Sequence, residues 1–88
     1  MNRVFEKVRY AITNGAKHVK IAQLKLKVID RHAHQILLAD DEFFYFEKCG
    51  IRYKLYRDCI LQAIIKDAAF TLKVVDACID KDTIILYY

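Results

Sequence analysis

The chain has 88 residues, of which 56% are hydrophobic, with 15 lysines and arginines against 11 acidic residues. This length predicts a single domain over residues 1–88, and the composition excludes disordered, collagen-like and mucin-like chains. The hydrophobic fraction exceeds the ~45–50% typical of soluble domains, which indicates apolar surface reserved for a partner. Because the sequence shows neither a run of about 20 apolar residues nor a signal peptide, we expect an intracellular protein of the nucleus or cytoplasm, with no membrane contact.

The first predicted element is a short amphipathic helix from Asn2 to Ile12. Asn2 is suited to cap its start, and Gly15 is suited to end it. Apolar side chains recur at helical spacing along this stretch, at Val4, Phe5, Val8, Ala11 and Ile12.

The next segment, Lys17 to Asp30, is predicted to be one long, sharply curved strand. Val19 and Ile21 alternate with polar residues, but after Gln23 the apolar residues shift by one position, to Leu24, Leu26 and Val28. A slip of one residue is what a β-bulge produces, because the extra residue sends later side chains to the opposite face. We therefore expect a bulge near Gln23.

Two shorter strands follow and complete a three-stranded meander. Polar residues 30–34 predict a turn, and Gln35–Ala39 resumes as a strand. The acidic residues 40–42 predict a second turn. The aromatic run Phe43–Phe46 has strong β preference and predicts the third strand.

The middle of the chain is less regular. Residues Cys49 to Arg57, which include Gly50, are expected to form an irregular connection or a single helical turn. Cys59–Ile65 fits either a strand or a helix by periodicity, and its β-branched content favours the strand.

The chain is predicted to end in hairpins. Residues 66–69 form a loop that leads into an extended segment at Phe70–Val75. A last hairpin across residues 80–82 brings Thr83–Tyr88 alongside that segment. In this order the elements predict a mainly β fold with a short N-terminal helix, a small five-stranded OB-like Greek-key barrel.

Three segments carry a resemblance to a known family. Ala11–Gly15, the strand Val19–Ile29 and the stretch His34–Asp41 resemble the opening of OB-fold domains of the replication protein A type, and the resemblance covers roughly residues 8–46. It implies a module that holds single-stranded DNA or RNA on the face of strands two and three and on the adjoining loops.

Bases would stack on aromatic rings beside cations that follow the phosphates. The formal net charge of +4 is mild for a nucleic-acid binder, and a solvated basic face stays open as the alternative. In the run Phe43–Phe46, alternate rings point to opposite sides, and Tyr45 is expected to be exposed because its hydroxyl tolerates water. The predicted nucleic-acid-binding residues are Lys25, Lys27, Arg31, His32, His34, Tyr45, Arg52, Tyr53, Lys54, Tyr56 and Arg57. Two simpler readings stay open. Tyr53 and Tyr56 fit a helical turn packed on the barrel, while Arg52 and Arg57 fit charge balance for the acidic turn.

The alternative function is a protein–protein assembly subunit, a homodimer or heteromer joined through apolar edge strands without nucleic acid. The candidate edge strands of this subunit are the segment with the apolar residues Leu24, Leu26 and Val28 and the end of the chain. The predicted interface residues are Ile84, Ile85, Leu86, Tyr87 and Tyr88.

We expect no enzymatic activity, cofactor or metal site. The histidines show no catalytic arrangement, and no C-x-x-C pair supports zinc. The thiols of Cys49, Cys59 and Cys78 are expected to be buried and free, because each lies in or beside an apolar run.

Overall fold

The computed structural model describes residues 3–24, 28–29 and 34–88. Within these residues the chain forms one helix followed by nine strands. Their bounds are α1 (Arg3–Thr13), β1 (His18–Gln23), β2 (Val28–Ile29), β3 (His34–Ala39), β4 (Phe43–Lys48), β5 (Ile51–Tyr56), β6 (Ile60–Ile65), β7 (Ala68–Lys73), β8 (Asp76–Asp80) and β9 (Thr83–Tyr87). The prediction of a mainly β fold with a short N-terminal helix is confirmed.

Eight of these strands lie side by side in the order β7-β6-β5-β4-β3-β1-β9-β8, and β2 pairs with the end of β1. Neighbouring strands are antiparallel except β1 and β9, which run parallel. In the described part of the chain the sheet is open, with edges at β7 and β8. The predicted five-stranded barrel is therefore wrong, because segments read as connections or loops are strands that lengthen the sheet.

The sheet curls around α1. Phe5 of the helix stacks on Phe44 of β4 with ring centroids 4.4 Å apart, while Lys7 Nζ lies 3.2 Å from Asp76 Oδ1 on β8. Since β4 and β8 are four places apart in the strand order, a flat sheet would separate them by roughly 19 Å. One helix reaches both strands because the sheet bends over it.

The helix itself confirms the prediction from periodicity, while the predicted cap Asn2 lies outside the described residues. Its buried residues are Phe5, Val8 and Ala11, which share one face. The helix stops at Gly15, whose φ of 100° is accessible to glycine without strain. The N–H of Gly15 donates to the carbonyl of Ile12, and the N–H of Ala16 donates to the carbonyl of Ala11. This pair of bonds forms a Schellman cap.

The long curved strand predicted for residues 17–30 is wrong. β1 ends at Gln23, and β2 runs back along it, with Ala22 opposite Ile29 and Gln23 opposite Val28. The shift in apolar alternation therefore marks a reversal of the chain rather than a bulge. A register shift does occur in the next strand, between Ile36 and Leu38. The predicted turn at residues 30–34 lies outside the described residues except for its last position.

The β3 and β4 strands and the acidic turn between them confirm the prediction. The N–H of Asp40 donates to the carbonyl of Phe43, and the Asp40 carboxylate accepts a bond from the N–H of Glu42. This is the side-chain bond that makes aspartate a favoured turn residue.

The prediction of an irregular connection or helical turn at residues 49–57 is wrong, because β5 lies there. It pairs with β4 along its whole length, with Lys48 opposite Ile51 across a two-residue turn. The turn residues Cys49 and Gly50 have φ of 51° and 81°. Positive φ at both positions is the requirement of a type I′ hairpin turn, whose twist matches the flanking strands.

Beyond β5, the strand reading of residues 59–65 is confirmed by β6, and a tight turn at 66–67 replaces the predicted loop at 66–69. The last hairpin is present, but its partner differs from the prediction. β9 pairs with β8, not with the extended segment at residues 70–75, and β1 covers its other side. Consequently β9 is an interior strand of the sheet.

The core lies between α1 and the inner face of the curled sheet. Its largest fully enclosed side chains come from widely separated strands, and Leu55, Leu61 and Ile84 are each 0% exposed. Cys59 belongs to this core, whereas Cys49 and Cys78 are exposed, so the expectation of three buried thiols holds only for Cys59. Across the residues that the structure describes, there is no helix with the length and apolar character that crossing a bilayer demands.

Candidate nucleic-acid interface

The outer face of the sheet, away from α1, carries partly buried aromatic side chains on β4. Successive side chains of a strand point to opposite faces. Phe44 and Phe46 point inward and are 2% and 1% exposed, whereas Phe43 and Tyr45 are half-buried on the outer side. The expected separation of the aromatic run into a core pair and a surface pair is confirmed.

Strand β5 adds to the same outer face. Its register with β4 sets Tyr56 opposite Phe43 and Lys54 opposite Tyr45. The rings of Phe43 and Tyr56 are 6.1 Å apart, and Lys54 Nζ lies 5.1 Å from the centroid of the Phe43 ring. We call these four side chains the outer aromatic patch: Phe43, Tyr45, Lys54 and Tyr56.

Polar side chains extend the patch toward β7. Gln62 of β6 lies opposite Lys54, and Thr71 of β7 lies opposite Gln62. The Tyr56 hydroxyl donates to Gln62 Oε1 at 3.3 Å. A row of hydrogen-bonding groups therefore runs outward from Tyr45 across three further strands. Such groups can bind the edges of bases or the sugar–phosphate backbone.

The arginines that accompany the patch face acidic side chains. Arg52 lies opposite Glu47 in the β4–β5 register. Arg57 Nη1 is 3.8 Å from Glu42 Oε1, in the acidic turn. This distance shows that Arg57 balances the charge of the acidic turn, an alternative that the sequence left open. Lys54 is accordingly the cation of this face that lies directly among the aromatic rings.

Two of the predicted binding residues point into the protein instead. His34 is 2% exposed, and its ring lies 4.6 Å from that of Tyr53 in an edge-on contact. Tyr53 stacks on Phe46 at 5.3 Å with the ring planes 10° apart. Tyr53 and Tyr56 lie on opposite faces because they are an odd number of positions apart in one strand. Placing His34 and Tyr53 in the binding surface is therefore wrong.

The remaining basic residues of the prediction, Lys25, Lys27, Arg31 and His32, lie outside the described residues. Among the residues that are described, no group of three or more histidine, cysteine, aspartate or glutamate side chains could hold a metal ion.

The predicted interface at the chain end also changes place. Ile84 and Leu86 are 0% and 1% exposed and belong to the core, and Ile85 is 7% exposed. The reading of residues 84–88 as an uncapped edge strand is wrong, because β1 and β8 flank β9. Of the second predicted edge, Leu24 is exposed, and its N–H donates to the carbonyl of Tyr88.

The binding prediction had omitted Phe43, Gln62 and Thr71, which share the outer face with its members. Phe43 could have been found from its alternation with Phe44. Gln62 and Thr71 could not, because their positions depend on which strands pair and in which register.

In comparisons with known proteins, no protein-family model, no curated protein and no solved structure matches the chain. The candidate function therefore depends on the chemistry of the face itself.

Proposed function

We propose that this chain is a non-catalytic module of a nucleoprotein complex that binds single-stranded nucleic acid on the outer aromatic patch. The observation that carries the proposal is the joint placement of Phe43, Tyr45, Tyr56 and Lys54 on one outward face. Aromatic rings offer stacking planes to unpaired bases at ~1–3 kcal/mol per base, and an adjacent ammonium attracts the phosphates.

The rigidity of the surface supports the proposal further. The inner side of the same hairpin is core, with Phe44 stacked on α1 and Leu55 fully enclosed. Side chains on a packed strand lose little freedom when a ligand binds, so more of the stacking free energy is retained as affinity.

The first test compares Tyr45 with a tyrosine outside the patch in a titration of a fluorescently labelled single-stranded oligonucleotide. Tyr45→Ala removes a stacking plane of the patch and should weaken binding by about five- to 150-fold. Tyr10→Ala is the control, because Tyr10 is 71% exposed on α1, away from the patch. Equal affinities of both variants and the wild type would contradict the proposal.

The second test concerns salt. Each phosphate neutralised by the protein releases counterions, so affinity falls as salt rises. Lys54→Ala should reduce the slope of log affinity against log salt by about 0.7, the value for one contact on a single strand. A salt-independent affinity of the wild type would count against phosphate contacts altogether.

A further inference from the structure

The two edges of the sheet are built differently. At the β8 edge, Lys7 of α1 reaches across and donates to both the carboxylate of Asp76 and the carbonyl of Ala77. At the β7 edge, five of the six residues are exposed, and the strand is uncharged until Lys73. Phe70 is 57% exposed there. An uncharged, uncovered edge strand is a template for pairing with another strand.

The hydrogen-bond pattern shows which backbone groups of β7 face outward. The N–H of Val74 donates to the carbonyl of Cys59 on the β6 side. Bonded pairs alternate along an antiparallel ladder, so Leu72 and Phe70 also bond toward β6. The N–H and C=O groups of Ala69 and Thr71 therefore point away from the sheet, toward the open edge.

We propose that β7 pairs antiparallel with β7 of a second copy of this chain, with Phe70 of each copy at the two-fold axis. In this register Ala69 of one copy lies opposite Thr71 of the other, and both present the outward backbone groups that the pairing needs. The two Phe70 rings meet at a non-hydrogen-bonded position, where side chains approach most closely.

Charge complementarity selects the second copy and this register. With Phe70 at the axis, Asp67 of each copy lies opposite Lys73 of the other, which forms two identical opposite-charge pairs. Shifting the register by two residues in either direction, the smallest shift that keeps outward groups opposed, brings Lys73 opposite Ile65 or Ala69. Opposite charges across strands stabilise pairing, and in neither shifted register does Lys73 face an acidic residue.

Pairing would also cover apolar surface on the inner side. Phe70 and Leu72 line a cleft of 320 Å³ that also includes Ile21 and Tyr53. The second copy would bring its own Phe70 and Leu72 beside this cleft. On the outer side, the two rows that end at Thr71 would lie on the same face of the joined sheet, offset from each other because each Thr71 faces Ala69 of the other copy. That consequence depends on the proposed function, whereas the dimer does not.

The experiment measures molar mass by sedimentation over a range of protein concentrations. The wild type should be a monomer–dimer equilibrium without any nucleic acid present. Asp67→Lys and Lys73→Asp each replace both attractive pairs with repulsive ones and should raise the dimer dissociation constant about tenfold or more. An equimolar mixture of these two variants should dimerise again, because each copy then faces an opposite charge.

Two further variants complete the design. Thr71→Pro removes an outward N–H without removing a β6–β7 bond, so it should abolish the dimer while thermal unfolding of the monomer remains cooperative. Lys81→Asp, a matched charge reversal in the exposed β8–β9 turn, should leave the dimer unchanged.

If Thr71→Pro fails to fold, the mixture of charge variants decides. A wild type that stays monomeric into the millimolar range, a dimer insensitive to both charge reversals, or a mixture that stays monomeric would each overturn the proposal. Failure of oligonucleotide binding would leave it standing.

Discussion

The two faces of the β4–β5 hairpin contain similar side chains with different roles. Inward, Phe44 stacks on Phe5 of the helix and Phe46 stacks on Tyr53. Outward, Phe43 lies near Tyr56 beneath the Lys54 ammonium, half-buried and open to solvent. The residue type does not distinguish these roles. Position parity along the strand does, because one face is covered by α1 and the other is not.

The largest expected effect is a difference in stability between substitutions of two neighbouring phenylalanines, Phe44 and Phe43. Phe44→Ala should lower the free energy of unfolding by about 3–5 kcal/mol, because it leaves a cavity against the helix. Phe43→Ala should cost about 1 kcal/mol, since that side chain is only partly buried and its ammonium contact is weak. Denaturant titration of both variants measures the difference, and equal losses would show that the outer ring is also structural.

The next prediction compares two tyrosines of β5, of which one should affect stability and the other should affect nucleic-acid affinity. Tyr53→Ala should destabilise the fold by about 2 kcal/mol, because its ring packs on Phe46 inside the curl. The oligonucleotide affinity of its folded fraction should be unchanged. Tyr56→Ala should weaken binding by about 1–3 kcal/mol, with unfolding near the wild type. Thermal melts combined with oligonucleotide titration test both, and the reverse outcome would place the binding face on the inner side.

A smaller effect on stability is expected at the Cys49–Gly50 turn, which joins β4 and β5. An added Cβ at Gly50 meets no atom within 4 Å, so Gly50→Ala is penalised only through its φ of 81°. The expected loss is about 1 kcal/mol. Cys49→Asn, at φ 51°, should instead stabilise slightly because asparagine tolerates this region. Melting temperatures should move in opposite directions, and a loss in both variants would contradict the turn assignment.

The smallest effect lies where α1 meets the β8 edge. The backbone N–H of Ala77 and, next, the Lys7 ammonium hold the pKa of the Asp76 carboxyl below 3.8. Because the pKa is lower in the folded state, this carboxylate stabilises the fold near neutral pH. The contribution falls as pH drops below 3.8 through the lowered value.

Asp76→Asn should therefore reduce the acid dependence of unfolding by less than about 1 kcal/mol, since the pair is exposed to solvent. Equilibrium unfolding between neutral and strongly acidic pH measures it. In a double-mutant cycle with Lys7→Met, the coupling should be positive and should vanish in acid. If Asp76→Asn left the acid dependence of unfolding unchanged, the Asp76 carboxyl would not be the source of that dependence.

The predictions from sequence were right where local chemistry decides the outcome. The apolar periodicity of residues 2–12 and the glycine after it specify a capped helix, and the acidic turn at residues 40–42 forms its own side-chain bond to the backbone. Strand alternation in Phe43–Phe46 correctly separated buried from surface rings. In β5, Tyr53 and Leu55 also alternate with the charged residues Arg52 and Lys54, a strand pattern that the prediction of a connection or helical turn at residues 49–57 missed.

Pairing between distant segments was the part that sequence reasoning missed. The placement of β9 between β1 and β8 turned a presumed edge into core, and the reversal between Gln23 and Val28 replaced a presumed bulge. Both errors concern which strand lies beside which. An alternating apolar pattern indicates that a strand has a buried face, but it does not show which other segment covers that face.

The amino-acid order alone determined the helix, most of the strand positions and the alternation that places Tyr45 on the outer face while burying Phe46. Those properties depend on near neighbours in the chain and on the two-residue period of a strand. The tertiary structure decided that the sheet is open, that His34 and Tyr53 face inward, and that β7 has an uncovered edge. These properties depend on contacts between distant segments, whose register is set by the packing of the sheet around α1.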